Sequence, residues 1–210
     1  MILFFGDSFT SGENNNFNGY VEKLKINDYK NYGISGTCIG DYSLYPVGNN
    51  NLIDILYTKK EEIEKADIIF LEYGANDISS IICGYATLNI ALIDLVKCLD
   101  YIHQINPGCK IYFLSLGNNL KTFSLGQINY LKDDYFKSIS SLLFSSIEEC
   151  ISKWIYLYNE FLSYVRNTNV EIIEFPTLNK NELDLDNLHP NDNGYNKIAD
   201  TIKNILNKGE

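Results

Sequence analysis

The stretch Met1-Ile2-Leu3-Phe4-Phe5-Gly6-Asp7-Ser8 decides how the rest of the chain reads. Ile2 to Phe5 is a continuous apolar run stopped by glycine, the pattern of a strand buried on both faces. The same pattern returns at Ile68-Ile69-Phe70-Leu71 before Gly74, at Ile111 to Leu116, and at Val170 to Phe175 before Pro176. A weaker strand is expected through Asn31-Tyr32-Gly33. Helical spacing fills the intervals. Tyr20, Val21 and Leu24 mark a short helix, and Leu52, Ile53, Leu56 and Ile63 a helix ending before Asp67. A longer one spans Ala86 to Ile105 and is stopped by Pro107-Gly108. Ile139 to Val165 predicts one long helix or two joined by a kink, and a last helix starts at about Asn193. Ile78–Tyr85 and Gly117–Tyr130, rich in glycine, asparagine and serine, read as loops that shape a pocket.

Strands separated by helices of this length build right-handed βαβ units and a parallel sheet. The expected architecture is α/β, a three-layer α/β/α sandwich around about five parallel strands. Its 210 residues suit one domain, 1–210, with no repeat or linker to divide it. The chain carries 27 acidic and 17 basic residues, a net charge of -10, and a negative field repels phosphate backbones. Nucleic acid is therefore not an expected partner. No apolar run approaches the roughly 20 residues that span a bilayer. Five cysteines without a CxxC pair argue for reduced thiols rather than a disulfide or metal scaffold. With no secretory leader at Met1, a cytoplasmic location is expected.

In open parallel sheets, ligands bind beyond the carboxyl ends of the strands. Beyond the first strand come Asp7 and Ser8, and beyond the second Gly33-Ile34-Ser35-Gly36. Beyond the third come Gly74-Ala75-Asn76-Asp77, and after the fifth Asp186-Asn187-Leu188-His189-Pro190. These turns would gather a hydroxyl, backbone donors, an amide and an Asp/His pair at one edge. Such parts suffice for acyl transfer through a covalent serine intermediate. Ser8 is the candidate nucleophile and His189 the candidate base, since an ordinary imidazole titrates near ~6.5. Asp186, three residues earlier, would orient the ring, with Asp184 as the runner-up. The N–H groups of Ser8 and Gly36 and the amide of Asn76 are candidate oxyanion donors.

The four blocks resemble those of the SGNH hydrolase superfamily, the GDSL esterases and lipases, and they occur in the same order. Gly6-Asp7-Ser8-Phe9 resembles the nucleophile block, with Phe9 in place of the usual leucine. Asn31 to Gly36 is similar to the second block, Gly74 to Asp77 to the third, and Asp186 to Pro190 to the last. The resemblance implies a flavodoxin-like fold, a triad of Ser8, Asp186 and His189, and an oxyanion hole of Ser8, Gly36 and Asn76. It also implies an esterase without metal or organic cofactor. The implied substrate is a small-molecule or glycan ester, such as a short-chain acyl or O-acetyl group on a sugar.

Each motif also has a plainer reading. Gly-Asp-Ser can be a helix cap, Asn76-Asp77 can cap the next helix, and Asn191, Asp192 or Asn193 can cap the last. His103, near a helix end, suits a surface role. Cys38 lies close to Gly36 but has no neighbouring base. Tyr73, beside the third block, is a candidate pocket wall. Two further functions share the residues: an acyltransferase that passes the acyl group to an alcohol, and a silent binding module of the same fold.

Overall fold

The computed structural model describes residues 1–45, 47, 48, 50–130 and 143–207. Five parallel strands, β1 (Ile2–Gly6), β2 (Tyr29–Gly33), β3 (Ile68–Glu72), β4 (Lys110–Ser115) and β5 (Glu171–Glu174), stand in the order β2-β1-β3-β4-β5. The chain reverses direction across the sheet at β1, which creates a crevice between the turns after β1, β2 and β3. Register places Phe4 beside Phe70 and Phe70 beside Tyr112. Their rings stack on one face, with centroids 4.8 and 5.1 Å apart. Each such pair contributes about 0.5–1.5 kcal/mol beyond simple burial.

Nine described helices flank the sheet: α1 (Ser8–Ser11), α2 (Tyr20–Lys23), α3 (Leu52–Thr58), α4 (Lys60–Ile63), α5 (Ala75–Ile82), α6 (Leu88–Ile105), α7 (Leu120–Tyr130), α8 (Ile147–Arg166) and α9 (Asp192–Leu206). Side chains alternate between the faces of a strand, so neighbours identify the layers. Tyr20 of α2 packs on Phe4, and α9 packs on α2, which makes one layer. Phe161 of α8 packs on Phe113, next to Tyr112 and therefore on the other face. There α8 also meets α5 and α6. The result is the expected three-layer sandwich. No described helix is long and apolar enough to cross a membrane.

Three local expectations need correction. The helix at Leu52–Ile63 is two, with Lys59 standing between α3 and α4. Ile78–Tyr85 is mostly helical, as part of α5. Its serines point inward: Ser79 Oγ accepts the Trp154 indole N–H at 3.1 Å, so polar residues there do not mark a solvent face. Gly117–Tyr130 is a 3-10 turn followed by α7. Gly126 lies within this helix, where a side chain would meet Asn187 O and Leu188 at 2.9–3.0 Å. Glycine is kept at this position for close packing. Of the long helical stretch, α8 begins at Ile147, capped by Ser146, whereas Ile139 and Leu142 lie outside the described residues.

Candidate active site

β1 ends on Gly6 and the chain turns at once into α1, with Asp7 as its cap. Asp7 Oδ1 accepts the Phe9 N–H at 3.0 Å, which fixes Ser8 as the first helical residue, directly above the sheet edge. Phe9 lies buried beneath, its ring 5.6 Å from that of His189 and 5.1 Å from Phe123 of α7. A large apolar side chain thus supports the imidazole from below.

His189 is held by a self-closing loop between β5 and α9. Asp186 Oδ1 accepts the N–H groups of Leu188 and His189 at 2.9 and 3.0 Å. Asp186 Oδ2 meets His189 Nδ1 at 2.6 Å. The ring's other nitrogen, Nε2, lies 2.9 Å from Ser8 Oγ. Residues 181 apart in sequence therefore form one hydrogen-bonded chain. Burial pushes the Asp186 carboxyl up, but the bonds from His189 and the Leu188 N–H outweigh this and hold it below the ordinary carboxylate value. Asp184 does not reach the ring: its N–H donates to His189 O at 2.8 Å and its carboxylate accepts from Leu185. Asn191 caps α9 and donates back to Asn181 O and Leu183 O, both at 2.9 Å, closing the loop.

Gly36 and Asn76 line the same cavity as Ser8 and His189. Gly36 has φ +78°, where a side chain would also press on the Tyr45 ring. Among the described residues the N–H groups of Ser8 and Gly36 have no acceptor within the chain. Asn76 differs: its amide donates to Asp7 Oδ2 at 3.0 Å and to Thr37 O at 3.1 Å. Asp77 takes the plainer role, accepting the Gly74 N–H at 3.0 Å and so capping α5. It also takes the Ile39 N–H and the Tyr42 hydroxyl at 2.9 and 2.8 Å. Burial nevertheless pushes its carboxyl up to about 6.

One component is not evident from sequence motifs. Glu72, the last residue of β3, is fully buried beside Asp7. Its Oε2 accepts Thr10 Oγ1 at 3.2 Å and more weakly the Asp7 N–H at 3.4 Å. Two carboxyls buried together cannot both ionise. Burial and the charge of Asp7 push Glu72 well above the ordinary range, so Glu72 keeps the proton. Burial also raises Asp7, while bonds from Glu72 and the Phe9 N–H favour its anion. Below pH ~4.3, the ordinary glutamate value, Glu72 is protonated in folded and unfolded chains alike. Above it only the folded chain holds the proton, so the folded state is penalised increasingly as pH rises. Glu72→Gln keeps the shape and a donor. It is expected to raise the melting temperature at about pH 8 and to change it little at about pH 4. A gain that does not vary with pH would contradict a protonated Glu72.

The cavity has a volume of about 310 Å³. Tyr73 belongs to the core rather than to its wall, and no residue of Ile78–Tyr85 lines it. From Gly117–Tyr130, among the described side chains, only Gln127 does. Cys38 is buried against Tyr42 and Ala91, with burial holding its thiol well above the ordinary value. His103 borders a separate surface groove at the opposite, amino end of β4 and β5. Among the described residues no group of three His, Cys, Asp or Glu side chains is placed to hold a metal ion.

The family model described as the GDSL-like Lipase/Acylhydrolase family matches residues 4–197. A protein of Bacillus subtilis (strain 168), YpmR, is 23% identical over 235 residues, covering 99% of this chain and 82% of its own. Among solved structures, the lipase Lip_vut3 from goat rumen metagenome superposes with a TM-score of 0.60 at 17% identity. That match covers 97% of this chain and 95% of the lipase. The carbohydrate acetylesterase Est24 from Sinorhizobium meliloti gives a TM-score of 0.61 at 13% identity, covering 100% and 99%.

Proposed function

Because the chain belongs to the GDSL-like lipase/acylhydrolase family and is a carboxylic ester hydrolase, we propose that it works through an acyl-enzyme on Ser8. The observation that carries this reading is the hydrogen-bonded chain Ser8 Oγ–His189 Nε2 at 2.9 Å and His189 Nδ1–Asp186 Oδ2 at 2.6 Å. Nδ1–H donated to Asp186 fixes the tautomer whose Nε2 accepts the Ser8 proton. Ser8 Oγ then bonds to the ester carbonyl carbon, and the carbonyl oxygen takes the negative charge. The N–H groups of Ser8 and Gly36 receive that charge, and Asn76 shares an amide hydrogen now given to Asp7 and Thr37. Each such donor is worth about 3–4 kcal/mol in the transition state. The protonated imidazole gives its proton to the departing alkoxide. Water, deprotonated by the same nitrogen, releases the acid and restores Ser8.

The cavity supports a small acyl group, since about 310 Å³ lies at the lower end of ligand-site volumes. The substrate is accordingly a short-chain or O-acetyl ester of a sugar or other small molecule. A series of esters that share one alcohol and differ in acyl length tests this. The expected kcat/KM is highest for acetyl to butyryl chains and falls at least about tenfold for octanoyl and longer ones. A maximum at long chains would contradict it.

A further inference from the structure

Asp7 precedes the nucleophile in sequence and touches the oxyanion amide, yet it is only 1% exposed and does not line the cavity. Its two carboxylate oxygens are divided between two helices. Oδ1 accepts the Phe9 N–H at 3.0 Å and caps α1, whereas Oδ2 accepts a hydrogen of Asn76 Nδ2, from α5, at 3.0 Å. The same nitrogen donates to Thr37 O at 3.1 Å. Thr37 is itself tied down, its hydroxyl donating to Ile34 O at 2.8 Å.

A side-chain amide has a donor end and an acceptor end of nearly the same shape, and its partners decide which end goes where. Both partners of Asn76 here are acceptors. Turning the amide over would set its carbonyl oxygen against Asp7 Oδ2 and Thr37 O, so the NH₂ stays in place. That holds only while Asp7 is an anion, because a protonated carboxyl can donate to a carbonyl instead. Glu72 meets this condition. It is just as buried, stands opposite Gly6 in the register of β1 and β3, and keeps the proton of the pair.

We propose that Asp7 is a positioning residue for the oxyanion hole: with Glu72 beside it, its carboxylate keeps the Asn76 amide turned so that nitrogen, not oxygen, meets the developing charge. This inference rests on the Ser8 reading above, in which Asn76 is an oxyanion donor.

The test is a double-mutant cycle on kcat with a soluble acetyl ester. In Asp7→Asn the single carbonyl serves the Phe9 N–H or Asn76, not both. Serving Phe9 keeps α1 capped and sets a new NH₂ against that of Asn76, while Thr37 O still holds the Asn76 nitrogen. The expected result is a fall in kcat of about 10²-fold, as for loss of one oxyanion donor, with KM within about threefold of the parent. In an Asn76→Ala background the same substitution is expected to cost less than about threefold, because the amide it acts through is gone. Asp7→Ser, whose hydroxyl also caps a helix, takes its place if Asp7→Asn melts far below the parent, and shows the same coupling. A folded Asp7 variant within about threefold of the parent kcat overturns the proposal, as does one whose cost is undiminished in Asn76→Ala. Ser8→Ala run in parallel separates the two levels. Turnover surviving there overturns the nucleophile reading, whereas an inactive Ser8→Ala beside additive Asp7 and Asn76 effects overturns only the positioning role.

Discussion

Ser8→Ala is expected to lower kcat for ester hydrolysis by at least about 10⁴-fold, with the melting temperature unchanged. The size follows from what is lost. Without Oγ no acyl-enzyme forms, and His189 can only activate water against the ester directly, helped by the remaining backbone donors. The unchanged stability follows from the surroundings of residue 8. The turn is held by Asp7, through Phe9 N–H, and by the packing of Phe9 under His189, neither of which uses the serine hydroxyl. Steady-state rates with a soluble acetyl ester, beside a thermal melt, check both halves. A variant within tenfold of the parent would remove Ser8 from the role of nucleophile.

Asp186→Asn is expected to cost about 10²–10⁴ in kcat, again without unfolding the loop. The carboxylate does two separable things. Its Oδ1 accepts the Leu188 and His189 N–H groups, a task the amide oxygen of asparagine can perform. Its Oδ2 takes the Nδ1–H of His189, which an amide NH₂ cannot do. The asparagine instead donates to Nδ1, moving the ring proton to Nε2, where it faces Ser8 Oγ and cannot accept the hydroxyl proton. Asp186→Ala removes both tasks and adds loop disorder. Asparagine should therefore lose catalysis with little change in melting temperature, whereas alanine loses both. Equal melting losses for the two variants would contradict this division.

The parts of the site that lie directly after a strand are legible in the sequence, because a strand end fixes where the next few residues go. Ser8 and Asn76 each follow an apolar run within a few residues, and Gly36 follows the weaker strand at Asn31-Tyr32-Gly33. Asp186 and His189 carry their own local signature, a three-residue spacing that closes an Asx-type turn. What depends on tertiary packing is not legible. Gly126 reads as a helix breaker until Asn187 and Leu188 are seen against it, and so α7 reads as a loop. Ser79 and Ser80 of α5 read as surface residues until Trp154 and Cys38 are found beside them. Glu72 looks like the polar end of a strand. Its meaning comes from the register that sets Gly6 beside Glu72 and so brings two carboxyls together beneath Ser8.

The net charge of -10 bears on this chemistry less than its size suggests. The proposed steps use a hydroxyl, an imidazole and one carboxylate within 3 Å contacts of one another. Screening at ordinary ionic strength, with a Debye length of about 8 Å, leaves distant surface carboxylates little influence on them.

The central claim is that the acyl group passes through a covalent bond to Ser8, and rapid acid quenching followed by peptide mass spectrometry tests it most directly. During turnover of an acetyl ester, the account predicts one added acetyl group on the peptide containing Ser8. That adduct forms in the parent and is absent in Ser8→Ala. An actively hydrolysing enzyme with an unmodified Ser8 peptide at every quench time, or with the acetyl group on another residue, would contradict it.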